Sequence, residues 1–197
     1  MKRSIKGVIF AILILILSVS LFGCNKGSSD KVIDKIMGNN KTAEDLELDK
    51  QFNFTLANDS HYLVREYKGT SVDVKVPSKY NGKPVLGFGQ AFKNSKIKSI
   101  EIPSSVDTIT YEAFQGCTEL KTVKLNEGLK TISDSAFQET GIEEITIPST
   151  VEEIHSYVFH KCKSLKKINC KAKTQPSGWH KWWNINTTAE VVWGYVD

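Results

Sequence analysis

Four histidines are all that the chain carries, and His61, His155, His160 and His180 are too scattered to show a metal-ligand spacing, so no metal site is expected. A phosphate loop of the Gly-x-x-x-x-Gly-Lys type is missing. No pair of carboxylates is spaced so that a fold would bring them together in a pocket. Ser133, Asp134 and His155 are the residue types of a hydrolase, but an adjacent Ser and Asp in a turn lack the strand-to-helix elbow that nucleophilic catalysis needs. Neither an enzyme nor a cofactor is therefore expected. Excess charge is scarce as well. The formal charge of +4 includes Lys2, Arg3 and Lys6, and without them 23 basic residues face 22 acidic ones. So small a surplus gives no electrostatic basis for nucleic-acid binding, which depends on a basic face releasing counterions.

Acidic residues are absent from the first 24 positions, and the residues there have the order of an export signal. Lys2, Arg3 and Lys6 precede the apolar stretch Val8 to Val19, which only Ser18 interrupts. Leu21-Phe22-Gly23-Cys24 comes next and resembles a bacterial lipobox. That resemblance implies cleavage before Cys24, a diacylglycerol on its sulfur, and a protein held on the extracellular face of the cell membrane. Anchoring would be stable, because each buried methylene contributes roughly 0.8 kcal/mol. An uncleaved membrane helix over Gly7 to Phe22 is the alternative. Residues 24–49 are polar, rich in Lys, Asp, Asn, Gly and Ser, and read as a flexible or weakly helical tether. Residues 50–71 hold two β-prone runs, Phe52 to Leu56 and Tyr62 to Tyr67, around Asn58-Asp59-Ser60, and predict a hairpin that caps the segment after it.

From residue 72 to about 175 the sequence repeats itself. Ile100, Val123, Ile145 and Ile168 are spaced 23, 22 and 23 apart, with Ile102, Leu125, Ile147 and Cys170 in step. Val106, Leu129 and Val151 recur behind them, then Ile109, Ile132 and Ile154, then Ala113-Phe114, Ala136-Phe137 and Val158-Phe159. Ala91-Phe92 marks an earlier, irregular copy containing the insertion Tyr80-Asn81-Gly82-Lys83-Pro84. The turns differ in length: after Phe114 and Phe159 the next strand starts six residues on, across Cys117 and Cys162, and after Phe92 and Phe137 only five.

The pattern Leu-x-x-Ile-x-Ile-Pro-x-x-Val-x-x-Ile-x-x-x-Ala-Phe-x-x-Cys resembles the BspA-like class of leucine-rich repeats, and Ile97 to Cys117 fits it almost position for position. The resemblance implies a mainly β, right-handed solenoid of about four to five coils of 22–23 residues, with a role in adhesion or host contact. Repeats of this size cannot enclose their own apolar side chains and must stack. Phe92, Phe114, Phe137 and Phe159 are then expected to form one column. Residues 176–197, with Trp179, Trp182, Trp183 and Trp193, read as a C-terminal cap, or alternatively as a sugar-stacking surface.

Strand alternation places Ser99, Glu101, Thr122, Lys124, Glu144, Thr146, Lys167 and Asn169 on the outer face of the sheet. This polar, mixed-charge face is the candidate binding surface. A protein ligand is expected there, and the alternatives are glycan or cell-wall binding through the Trp-rich C-terminal region, or a plain structural spacer. Stacking should also set Glu101 beside Lys124 and Glu144 beside Lys167. Cys117 and Cys162 fall two coils apart, beyond disulfide reach, and read as buried thiols, while Cys162 with Cys170 stays geometrically open.

Overall fold

The computed structural model describes residues 41–196. The expected export signal, Cys24 and most of the expected tether lie outside these residues. Thr42 opens a helix. Its hydroxyl accepts a hydrogen bond from Asp45 N at 3.1 Å, and Asp45 Oδ2 accepts one from Thr42 N at 2.8 Å. This reciprocal capping arrangement satisfies two amides at the start of α1 (Ala43–Gln51). The last part of the sequence expected to be a tether is thus helical.

Strands β1 (Phe52–Ala57) and β2 (His61–Tyr67) form the expected antiparallel hairpin. Asn58 and Asp59 both adopt left-handed backbone, with φ of 48° and 54°. That is the conformation a tight hairpin requires, and Asn and Asp tolerate it better than most residues.

The rest is a solenoid whose coils have three sides. The front side carries β3 (Asp73–Lys75), β6 (Ser99–Glu101), β8 (Thr122–Lys124), β10 (Glu144–Ile147), β12 (Lys167–Cys170) and β14 (Glu190–Trp193). Parallel pairing puts Val74 beside Ile100 and Ile100 beside Val123, then Ile145 beside Ile168 and Ile168 beside Val191. This column therefore has six rungs among the described residues, against four to five coils expected. The rungs beyond the four regular ones come from irregular sequence: β3 belongs to the irregular first copy and precedes the inserted β4 (Lys79–Tyr80), and β14 lies in the segment read as a cap.

The second side is an unbroken ladder. It runs from the hairpin's β2 through β5 (Lys83–Phe88), β7 (Thr108–Ile109), β9 (Thr131–Ile132) and β11 (Glu153–Ile154) to β13 (Gly178–Trp179). Here Ile109, Ile132, Ile154 and Trp179 succeed one another in register. Pairing with β5 makes the hairpin an N-terminal cap, since it covers an edge that would otherwise be open.

The third side is the aromatic column. Phe92 to Phe114, Phe114 to Phe137 and Phe137 to Phe159 lie 5.3, 5.2 and 5.7 Å apart between ring centroids, all stacked. All four rings are fully buried. Tyr67 closes the column at one end, 5.5 Å from Phe92, and Trp183 at the other, 6.0 Å from Phe159. Trp179 and Trp183 are buried and Trp193 packs against the core, so three of the four tryptophans close the end of the stack. Trp182 stays 42% exposed.

Backbone along this side adopts a conformation the sequence hardly announces. Glu112, Ser135 and Tyr157, just before each Ala/Val-Phe pair, and Asn94, Gly116, Glu139 and Lys161, two residues after each Phe, all have φ between 55° and 74°. The alternation turns successive amides toward the neighbouring coil, so that Phe114 N donates to Ala136 O at 2.9 Å and Phe137 N to Val158 O at 3.0 Å. Every coil is thereby hydrogen-bonded to the next on this side too, as buried backbone requires.

Candidate functional site

The front sheet is broken in the middle. Strands β3, β6 and β8 form one three-stranded sheet and β10, β12 and β14 another, with no ladder between β8 and β10. The groups this leaves without a strand partner can be identified. Thr122 N donates to Lys98 O and Lys124 O accepts from Ile102 N, so these two residues are turned toward β6. Alternation then points the amide and carbonyl of Val123 toward β10. On the other side, Glu143 O and Ile147 O accept from Lys166 and Lys171 of the next coil, which turns Glu144 and Thr146 toward β8.

The position of the break tracks the turn lengths. Before β8 the chain makes the longer, cysteine-containing turn, and before β10 the shorter one. The junctions β6–β8 and β10–β12, where short precedes long, keep their ladders. The short turn is tight: a Cβ on Gly141 would lie 2.2 Å from Thr118 O. Thr140 stands where Cys162 stands in the next coil, is buried, and bonds that thiol at 3.2 Å.

A cleft of about 770 Å³ lies along the break, with Thr122, Lys124, Glu127, Glu144, Thr146 and Lys171 among its walls. Four of these are residues of the expected display face. Glu127 and Lys171, which the sequence pattern did not single out, meet at 2.9 Å across two coils. Glu143 takes Lys121 at 3.3 Å and Lys166 at 3.2 Å, which holds its pKa below the usual carboxylate value through those hydrogen bonds. The cleft is thus rimmed by both signs of charge, with Val123, Leu125, Ile145 and Pro148 also in its walls.

The remaining face residues divide. Glu101 pairs with Lys124 at 3.5 Å, as stacking predicts, and also with Lys75 at 3.8 Å. Ser99 is half-buried and bonds Asp73 at 2.6 Å. Glu144 and Lys167 are register neighbours, yet Glu144 accepts from Asn169 Nδ2 at 2.6 Å and Lys167 lies 6.0 Å from the Tyr195 ring centroid. Asn169, expected on the display face, is only 1% exposed. The added rung β14 and the Glu144 side chain cover it, and it drops out of the face.

The hydrolase residue types do not assemble. His155 Nδ1 meets Asp134 Oδ2 at 3.1 Å, but Ser156, not Ser133, bonds Asp134, and its hydroxyl donates to the carboxylate rather than to the imidazole. His155 Nε2 lies 3.7 Å from Glu153. Burial would raise the pKa of Asp134, and the hydrogen bonds from Ser156 and His155 outweigh it and hold the carboxyl below its usual value. This is the pattern of a carboxylate tying one coil to the next.

Cys117, Cys162 and Cys170 are buried and unpaired. Cys117 and Cys162 donate to Phe92 O at 2.8 Å and Phe137 O at 2.9 Å, binding each coil to the one before. Burial pushes the Cys117 thiol up to about 11 and that of Cys170 to about 12, so neither is a ready nucleophile.

A model of the BspA type leucine rich repeat region matches residues 89–188 in six copies, just over half of the chain. Among solved structures, a leucine-rich repeat protein from Bacteroides capillosus ATCC 29799 is 29% identical with a TM-score of 0.56, over 61% of this chain and 94% of that one. A T. pallidum leucine rich repeat protein is 26% identical with a TM-score of 0.52, over 61% of this chain and 69% of that one. The pneumococcal vaccine antigen PcpA, 23% identical over 64% of this chain and 37% of its own, shares the fold at a TM-score of 0.50. No curated protein matches the chain. With its six-copy repeat match and its stacked three-sided coils, the chain belongs to the BspA type leucine rich repeat family.

Proposed function

We propose that this chain is an exported lipoprotein, anchored through Cys24, whose leucine-rich repeats recognise a protein partner on the front sheet and carry out no catalysis. The observation that carries the reading is the cleft between β8 and β10. It breaks an otherwise regular sheet in the middle of the polar face and lies between charged side chains of both signs. Unsatisfied strand-edge amides and carbonyls are ready partners for another chain. A rim of mixed charge favours specificity and encounter rate over high affinity, so a modest, selective interaction is expected. Family membership supports recognition in general, but solenoids serve many partners and the family alone names none.

Export and anchoring rest on the N-terminal residues, from Lys2, Arg3 and Lys6 through the apolar stretch to Leu21-Phe22-Gly23-Cys24. Fatty-acid labelling of the wild type against Cys24→Ala tests the anchor: label should vanish in the variant, and unchanged label would refute it. For recognition, cells displaying the full chain should crosslink to a discrete protein that Lys124→Glu with Glu144→Lys loses. Persistence of the same crosslink in that double variant would exclude the cleft as the binding surface.

A further inference from the structure

Charge is unevenly distributed along the solenoid. Between Glu101 and Glu153 there are eleven acidic residues and three lysines, whereas from Ile154 to Ala189 there are seven lysines and not one carboxylate. Three of the seven are engaged by carboxylates of earlier coils: Lys161 by Glu139 at 3.0 Å, Lys166 by Glu143 at 3.2 Å, and Lys171 by Glu127 at 2.9 Å. The surplus leaves the C-terminal coils basic, although the chain without Lys2, Arg3 and Lys6 is nearly neutral. A field of one sign over a local surface attracts ligands of the other.

The same end exposes aromatic rings. Trp182 and Tyr157 are 42% and 37% exposed, with ring centroids 6.1 Å apart and planes inclined by 39°. His160 packs edge-on to Tyr157 and His180 to Trp182, and Lys181 Nζ stands 4.8 Å from the Trp182 ring centroid. Asn186 Nδ2 reaches His160 Nδ1 at 3.2 Å. Closing the stack does not account for Trp182, because Trp179, Trp183 and Trp193 already do so. Nor does the repeat ask for a ring at position 157, where the same left-handed backbone site holds Glu112 and Ser135 in the two preceding coils.

We infer that the patch around Tyr157 and Trp182 binds an anionic polysaccharide. The apolar faces of sugar rings would lie on the two aromatics, and a carboxylate, sulfate or phosphate group would be met by Lys181, within the field of the basic C-terminal coils. Aromatic rings supply large apolar contact area, and a cation beside them supplies the charge selectivity. This site is separate from the front-sheet cleft and stands or falls without it.

The test is a titration of the full chain in detergent, monitored by intrinsic tryptophan fluorescence, with heparin, polygalacturonate, dextran and polyglutamate. Heparin and polygalacturonate should bind, with affinity falling as salt is raised, and dextran and polyglutamate should not. Trp182→Ala and Lys181→Glu should each weaken binding at least about tenfold, Trp182→Phe should restore most of it, and melting should be unchanged in all three. Equal binding of dextran would show that charge has no part. Equal binding of polyglutamate would reduce the patch to an ion exchanger. No binding to either acidic polysaccharide, or full binding by Trp182→Ala, would overturn the proposal outright.

Discussion

The front and second sides of the solenoid are built from the same coils, yet one ladder is broken and the other is continuous. Both carry one short parallel strand per coil with an apolar residue facing in. They differ in the segment that precedes each strand. The second-side strands β7, β9 and β11 come after a segment of fixed length from Val106, Leu129 and Val151, so their register never changes. The front strands come after the turn beyond each Phe, and that turn is either five or six residues long. A solenoid tolerates such variation because each coil touches only its neighbours. The cost falls on whichever ladder lies directly downstream, and the resulting gap leaves the amide and carbonyl of Val123 without a strand partner.

The largest effect should come from removing an element that both sides share. Phe137 lies between two rings at 5.2 and 5.7 Å and is fully buried. Phe137→Ala should destabilise by about 3–5 kcal/mol in denaturant unfolding, with both ladders lost together. A loss below about 1 kcal/mol would mean that the column is not what holds the coils. Next comes the tight turn, which belongs to the front side alone. Gly141→Ala puts a methyl against the carbonyl of Thr118, which is backbone and cannot rotate away, and should cost about 1–3 kcal/mol. The matching change Gly82→Ala, with no atom within 4 Å but φ at 73°, should cost about 1 kcal/mol through strain alone.

Smaller effects separate the ties between coils from the core they enclose. Acid should loosen those ties before it touches the core. Asp134, Glu112, Glu139 and Glu143 all have carboxyls held below their usual values of 3.8 and 4.5. Depressed carboxyls stabilise the fold above those values and lose that contribution as pH falls through the lowered ones. Thermal melts should therefore be level from pH 7 to about 5 and decline below about 4. Asp134→Asn should flatten part of the decline. The smallest change is Lys124→Ala: its pair with Glu101 is exposed, and stability should move by no more than about 0.5 kcal/mol.

Most of the architecture could be read from spacing. Apolar residues returning every 22 or 23 positions place Ile100, Val123, Ile145 and Ile168 in one column, and the Phe column emerges in the same way. Ambiguity entered where a residue's surroundings depend on a neighbouring coil. Asn169 alternates outward by its own strand, but β14 comes from sequence with no repeat signature and covers it. The left-handed sites at Glu112, Ser135, Tyr157, Glu139 and Lys161 carry residues that do not advertise that conformation, and only Gly116 and Asn94 hint at it. The split between β8 and β10 was encoded in the turn lengths, though its position emerges only when a long turn and then a short one are stacked.

Native-state amide hydrogen exchange tests the central contrast most directly. Val123 and Thr146 have amides facing the split, while Ser133, His155 and His180 donate across the continuous ladder at 2.9, 2.9 and 2.7 Å. Val123 and Thr146 should exchange far faster than those three, and faster than the front-strand amides of Thr122 and Ile102. Equal protection of Val123, Thr146 and His155 would mean that the front sheet is continuous, and both the cleft and the recognition assigned to it would have to be given up.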